Sequence, residues 1–318
     1  MDKRKLVIDT DTAADDAVAL MMAFMSDSVQ VMGITTVSGN VNLDLATQNA
    51  LMTCEICGVD VPVYKGAGRP LFRKLVTSDA VHGADGMSDK GLICPNGIVA
   101  EGHAVDYILK TVEENPNEIE LVVIGPATNI AIAILKDHDV MRKVKHIYTM
   151  GTGGFGPGNI TPVAEFNVFV DAESYKIMLE SGIPMTIVGF DVCLQAMVSK
   201  ENLEKLGMYG KVGHFAAEIT ESTLSYMYRK TGKLCATIPD GVAMAVLLWP
   251  DVVKDEVKAY CHCCIADEHA YGQVIVNDPN VVYAVEQNYK GEKVTVIKEV
   301  DGEKFNKKLL KLFENFVN

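Results

Sequence analysis

Short apolar runs recur along this chain, each followed by a segment of helical period. That alternation limits the possible folds more than any single residue does. The runs lie at 5–9, 29–37, 61–64, 119–125, 144–150 and 184–190; the helical segments lie at 15–25, 43–57, 102–114, 128–136 and 171–181. Strands that are apolar throughout suit a parallel sheet buried on both faces, and helices between them supply the crossovers. The pattern predicts an α/β fold: an open, Rossmann-like, mostly parallel sheet covered by helices on both faces. The last third reads differently. A helical stretch spans about 200–230 and an apolar helix 240–248, followed by β-rich segments at 256–266, 272–276 and 293–299 and an amphipathic helix at 303–316. No linker rich in Ser, Pro or charge divides the chain, and no internal repeat is seen. One domain over 1–318 is expected, with a helical and β-rich insertion or extension in roughly 200–300.

Composition excludes several function classes. The 318 residues are 48% hydrophobic and 22% charged, which rules out global disorder. Lys and Arg number 29 against 42 Asp and Glu, a formal net charge of -13. A chain so acidic has no electrostatic footprint for nucleic acid or an anionic membrane. No segment reaches the roughly 18 unbroken apolar residues of a membrane helix. The amino terminus, MDKRKLVIDTD, carries only LVI before its acids, too short for the apolar region of a signal peptide. A cytoplasmic protein with reduced thiols is expected. Cys54 and Cys57 have CxxC spacing but lie in a helical pattern, so they read as buried structural residues. Cys261, His262, Cys263 and Cys264 sit in an alternating, β-prone run. Neighbours there point to opposite faces, which argues against a shared zinc ion.

The densest chemistry is the stretch DTDTAADDA, 9–17. Asp9, Asp11, Asp15 and Asp16 place four carboxylates within eight residues, where the first strand ends and a helix begins. In a parallel sheet this is the ligand-binding edge. Acids crowded there without a basic neighbour repel one another unless a cation is present, and carboxylate oxygens suit hard cations such as Ca2+ or Mg2+. An EF-hand is excluded by spacing, because its fifth and sixth loop positions would be Ala13 and Ala14. The phosphatase motif DxDxT of the haloacid dehalogenases resembles Asp9-Thr-Asp11-Thr12 and would make Asp9 a nucleophile, but it leaves the Asp15-Asp16 pair unexplained.

The whole stretch more closely resembles the D-x-D-P-G-x-D-D signature of the inosine–uridine nucleoside hydrolase family, with Thr12-Ala13 in place of Pro-Gly. Further segments match the same family: TTVSGN at 35–40, VHGADG at 81–86, VVIGPATNIA at 122–131, GNITPVAEFNVFVD at 158–171, and Asp240 before a late helix. The resemblance covers roughly 5–250 and implies the nucleoside hydrolase fold, with hydrolysis of ribonucleosides to base and ribose. It implies one Ca2+ held by Asp11, Asp16, Asp240 and the backbone carbonyl of Ile124, ordering a water whose proton Asp11 accepts. Asp15 and Asn40 would contact the ribose hydroxyls, while Asn159, Glu165 and Asn167 would hold the sugar, including its 5′ side. His82 is a candidate to face the pocket. Tyr226 and Tyr228 are candidates to stack on the base. The resemblance also implies a homodimer or homotetramer.

One position departs from the family. Many members carry a His immediately before the late Asp, and that His protonates the departing base. Here the residue is Pro239, which has no proton to transfer, so the leaving-group step lacks an assigned acid and the base preference is open. Two activities follow: a Ca2+-dependent nucleoside hydrolase, or a non-catalytic nucleoside or ribose binder that keeps the metal site. The retained Asp11 favours the enzyme, because a binder needs no base beside the water. The run GTGGFG at 151–156 fits G-x-G-x-x-G, but Pro157, Asn159 and Pro162 follow at once. No helix can open there to hold a pyrophosphate, as a dinucleotide fingerprint requires.

Overall fold

The computed structural model describes residues 3–284 and 292–316. Its main sheet is built from β1 (Arg4–Thr10), β2 (Val29–Thr36), β3 (Val63–Lys65), β4 (Ile119–Val123), β5 (His146–Met150) and β6 (Met185–Val188). A two-stranded ribbon pairs β7 (Val198–Ser199) with β8 (Cys235–Ala236), and the main sheet is completed by β9 (Val253–Cys263), β10 (Val274–Asn277) and β11 (Val294–Val300). The spatial order is β10-β9-β11-β6-β5-β4-β1-β2-β3. Every pairing from β11 to β3 is parallel, and β9 and β10 pair antiparallel. The late β-rich segments thus extend the central sheet along one edge.

Side chains alternate between two apolar clusters, one on each sheet face. Leu6 and Ile8 of β1 join one cluster, together with the helices Ala14–Met25 and Pro239–Leu248. Val7 points the other way, into the cluster formed with the helices Ala104–Glu114, Thr128–Lys136 and Ala172–Leu179. All five residues of β4 and all four of β6 are buried, as strands covered on both sides require.

The expected helical stretch near 200–230 is three helices, Lys200–Leu206, Gly210–Ile219 and Glu221–Thr231. Gly207 caps the first, and the second begins at Gly210, whose φ of 63° suits a residue without Cβ. The structure also contains a helix at Phe166–Val170, in a segment whose aromatic and β-branched residues favour strand. Glu165 nucleates it by accepting from the backbone N–H groups of Asn167 and Val168. Cys54 and Cys57 are buried in the helix Leu43–Cys57. Burial pushes each thiol up to about 12, which leaves them inert packing groups. No helix among the described residues is long and apolar enough to cross a membrane.

One ion cluster ties the start of the chain to its centre. Glu120, 3% exposed, pairs with Arg4 and with Lys145 at 2.9 Å, and Arg4 also donates to the carbonyl of Leu247 at 2.7 Å. Burial pushes the Glu120 carboxyl up, but the bonds from Arg4 and Lys145 more than offset it and hold it below its ordinary value. A depressed native value means this contribution is present above the unfolded value of ~4.3 and is lost as pH falls. Arg4→Met is expected to cost about 2 kcal/mol at pH 7, between the values for surface and buried pairs. The deficit should shrink below about pH 4. Urea titrations of both proteins at the two pH values check this.

Candidate active site

From β1 the chain winds outward through β2 and β3, then returns to place β4 on the other side of β1. The strand order therefore reverses between β1 and β4. Ligands in such sheets bind beyond the carboxyl ends of the strands at the reversal. The residues just past those ends are Asp11 to Asp16 on one side and Ile124 and Gly125 on the other.

Two helices deliver the acids. Ala14–Met25 carries Asp15 and Asp16 in its first turn, and Pro239–Leu248 carries Asp240 in its own. Both helices are buried nearly all round and pack on each other through small and aliphatic residues, which brings their amino termini together. Helix amino termini favour negative charge, so each carboxylate gains locally from the dipole of its own helix. Asp16 is further fixed by Thr10 Oγ1 at 2.6 Å and by the backbone N–H of Ala13 at 2.9 Å. One carboxylate oxygen from each of Asp15, Asp16 and Asp240 lies within 4.8 Å of the others.

Asp11 lies deeper and is fully buried. Its Oδ2 accepts from the backbone N–H of Asn40 at 2.5 Å, while its Oδ1 has no partner. Gly39 and Gly125 sandwich this carboxylate. A Cβ on Gly125 would come within 2.8 Å of Asp11 Oδ1, and one on Gly39 would strike Asp11 Oδ2. Gly39→Ala should displace the carboxylate and lower kcat by about 10²-fold, the size of effect that a misplacement of ~1 Å can cause. Turnover assays on the variant, with circular dichroism to confirm its fold, check this.

The electrostatics are those of a cation site. Burial, with repulsion from neighbouring acids added, raises the carboxyls of Asp11 and Asp240 well above their ordinary value, and that of Asp16 to about 7. The buried Oδ1 atoms of Asp11 and Asp15 lack hydrogen-bond partners. Among the described residues, the basic group closest to these acids is His82, its Nε2 3.6 Å from Asp15 Oδ1. Convergent buried oxygens without basic counter-charge fit a hard divalent cation.

Above the acids opens a cavity of about 530 Å³. Asp15, Asn40, His82, Asn159, Glu165, Asn167, Tyr226 and Asp240 line it, so the structure brings most of the expected residues together. Asp11, Asp16 and Ile124 sit beneath it, fully buried. The side chains from the 158–171 segment are held by its short helix: Asn159 Oδ1 accepts from the N–H of Phe166 at 2.8 Å, and Glu165 is the cap. Asn167 Nδ2 donates to the carbonyls of Ile124 at 3.0 Å and Met150 at 3.3 Å. Burial pushes the Glu165 carboxyl up to about 7.

This architecture matches known enzymes along nearly its whole length. The family model of the inosine-uridine preferring nucleoside hydrolases matches residues 6–307. The chain belongs to that family. Like its relatives, it is an enzyme that hydrolyses ribonucleosides at the N-glycosidic bond. The pyrimidine-specific ribonucleoside hydrolase RihB of Escherichia coli O9:H4 (strain HS) is 33% identical over 286 residues, 89% of this chain and 90% of that protein. A plant nucleoside hydrolase, the PpNRh1 enzyme, matches with a TM-score of 0.93 at 29% identity, over 98% of this chain and 99% of that one. The purine-preferring ribonucleoside hydrolase from Gardnerella vaginalis matches with a TM-score of 0.90 at 25% identity, over 99% of each chain.

One expectation about this nucleoside hydrolase needs correction. Tyr228 does not line the cavity and is 54% exposed, as residues two apart on a helix point to different sides and Tyr226 takes the inner one. Asp9 is not a nucleophile. Its Oδ1 is held by Thr35 Oγ1 at 2.5 Å and Asn129 Nδ2 at 2.8 Å, within the sheet and away from the cavity lining. The family match removes the phosphatase alternative altogether. Asn129, in the GPATNIA segment, is a clamp: it also donates to the Thr36 carbonyl and accepts from the N–H of Ala67. The Gly151–Gly156 segment runs into a turn and opens no helix, so the fingerprint is a coincidence of composition. The Cys261–Cys264 run forms no metal-binding group among the described residues.

The sequence reading missed Ser78, whose Oγ donates to Asn40 Oδ1 at 2.6 Å and so orients an amide on the cavity wall. It also missed Met227, Lys230 and Thr231 on the cavity wall. No local signal marks Ser78. Lys230 follows from Tyr226, and Thr231 from Met227, by the one-turn spacing of the helix.

Proposed function

We propose that the hydrolysis is calcium-dependent and that Asp11 is its general base. The observation that carries this is the convergence of Asp15, Asp16 and Asp240, with Asp11 buried close by, at the base of a cavity whose wall also bears Asn40, Asn159, Glu165 and Asn167. Asp16 and Asp240, with Asp11 or Asp15 and the carbonyl of Ile124, are the oxygens that would hold the ion. The Ile124 carbonyl accepts one bond from Asn167, and its second lone pair is available. A calcium ion bound by these oxygens would offset the mutual repulsion of the acids and would lower the pKa of a coordinated water.

The remaining work falls to side chains. Asn40 and Asp15 hold the 2′ and 3′ hydroxyls, and Asn159, Glu165 and Asn167 hold the ring and its 5′ side. Asp11 takes the proton of the attacking water at its Oδ1, the oxygen with no other partner. As the C1′–N bond lengthens, positive charge builds on the ribose ring. The carboxylate and amide oxygens around the sugar are already in place to stabilise it. Tyr226 and Phe190 on the cavity wall offer aromatic faces to the base.

The base preference is not carried over from relatives, since one similar protein is named pyrimidine-specific and another purine-preferring. We read the chain as a single cytoplasmic domain that forms a homodimer or homotetramer. The deciding experiment is release of free ribose from a panel of purine and pyrimidine nucleosides, with calcium and after chelation. Release is expected with calcium and should be lost with the chelator. Turnover that survives complete chelation overturns the calcium assignment.

A further inference from the structure

Pro239 lies on the cavity wall and has no proton for the departing base. The other groups on that wall supply a short list of donors. The hydroxyls of Thr77, Ser78, Thr231 and Thr237 are far too weakly acidic. Asp15, Glu165 and Asp240 belong to the sugar and metal side. What remains is His82, Tyr226 and Lys230. The Nε2 of His82 is turned toward Asp15 on the acidic floor. The ring of Tyr226 lies beside the Lys230 ammonium, 5.7 Å from Nζ to the ring centroid.

Lys230 stands apart in two ways. It is a lysine on the wall of an acid-lined cavity in an acidic protein, yet it forms no ion pair within 4 Å among the described residues; its one described contact is the Tyr226 ring. It also sits in the last turn of Glu221–Thr231, where the helix dipole favours a cation. Helical spacing explains why this exposed residue still reaches the cavity rim. Tyr226 and Lys230 are one turn apart and share a face with Met227 and Thr231, whereas Arg229 points to solvent. Its aliphatic stem can lie along the wall while the ammonium stays within reach of both base and solvent.

We propose that Lys230 donates the proton to the departing base. This rests on the hydrolytic reading with Asp11 as base. When the C1′–N bond breaks, its electron pair stays on the ring nitrogen of the base. An N–H proton of Lys230 passes to that ring system, at a nitrogen or a carbonyl oxygen, and the base leaves neutral. The water oxygen bonds to C1′, and its proton goes to Asp11. One proton is gained at Asp11 and one lost at Lys230, so the enzyme's charge is unchanged. Lys230 is exposed and regains its proton from solvent.

The test compares kcat/KM for inosine, uridine and a nitrophenyl riboside in wild-type enzyme and in Lys230→Met and Lys230→Arg, with saturating calcium. A nitrophenolate leaves without protonation, so it reads out the metal, water and sugar machinery alone. In Lys230→Met the natural nucleosides should slow by about 10²–10³-fold, while the nitrophenyl riboside stays within about threefold, as loss of general acid help predicts. Lys230→Arg should be equally slow on nucleosides, because a guanidinium keeps its proton. Added methylammonium should partly restore Lys230→Met on nucleosides.

Equal losses on both substrate types, or full recovery in Lys230→Arg, would overturn proton donation in favour of a binding or purely electrostatic role. Unchanged nucleoside turnover in Lys230→Met, with selective loss in Tyr226→Phe or His82→Asn, would move the donor to that residue. A wild-type enzyme inert toward every nucleoside would instead overturn the underlying hydrolytic reading, and this proposal with it.

Discussion

Asp11→Asn is expected to lower ribose release by at least about 10²–10⁴-fold, the contribution of a positioned general base. An asparagine keeps the shape of the side chain and can still accept from the N–H of Asn40. It cannot take a proton from water. Binding of ribose or of an unreactive nucleoside should persist, because the sugar-side residues lie on other elements. Single-turnover rates and equilibrium binding of ribose, both at saturating calcium, check the two halves separately. Near-normal turnover in this variant would remove Asp11 from the base role, whatever the calcium content.

The second large effect concerns Asp16. Asp16→Ala should abolish tight calcium binding, since it deletes one of the three carboxylates whose oxygens converge. It also deletes the acceptor for Thr10 and for the N–H of Ala13. Loss of such a cap costs ~1 kcal/mol. Relief of repulsion among buried acids works the other way, so the metal-free variant should remain folded. The readout is the stabilisation that calcium gives. A ligand at a hundred times its Kd contributes about 2.7 kcal/mol, and the variant should show none of it. Elemental analysis after gel filtration and thermal unfolding with and without calcium test this together. Full calcium content in the variant would exclude Asp16 as a ligand. Asp16→Asn, which keeps an acceptor for the cap, separates loss of charge from loss of the helix start.

The parallel strands and their crossover helices were legible in the sequence because apolar periodicity is a local property. Runs such as IELVV at 119–123 bury both faces wherever they are placed in the sheet. The acidic loop was legible for the same reason: four carboxylates at the end of a first strand signal a cation site without knowledge of the rest. Asn40, Asn159, Glu165 and Asn167 were marked by the segments that carry the family resemblance, and all four line the same cavity. The helix Phe166–Val170 was not legible, since its residues favour strand and a single glutamate cap overrides them.

What the sequence alone determined, then, is the set of elements and the crowding of Asp9, Asp11, Asp15 and Asp16. Tertiary structure decided which of those acids act together. Asp9 turns into the sheet toward Thr35 and Asn129, while Asp15 and Asp16 meet Asp240, more than two hundred residues away, because two buried helices pack with their amino termini adjacent. It also decided that Tyr226 and Lys230, but not Tyr228, face the cavity. Periodicity specifies that a helix has an inner side. Only the packing of that helix against its neighbours selects which residues occupy it.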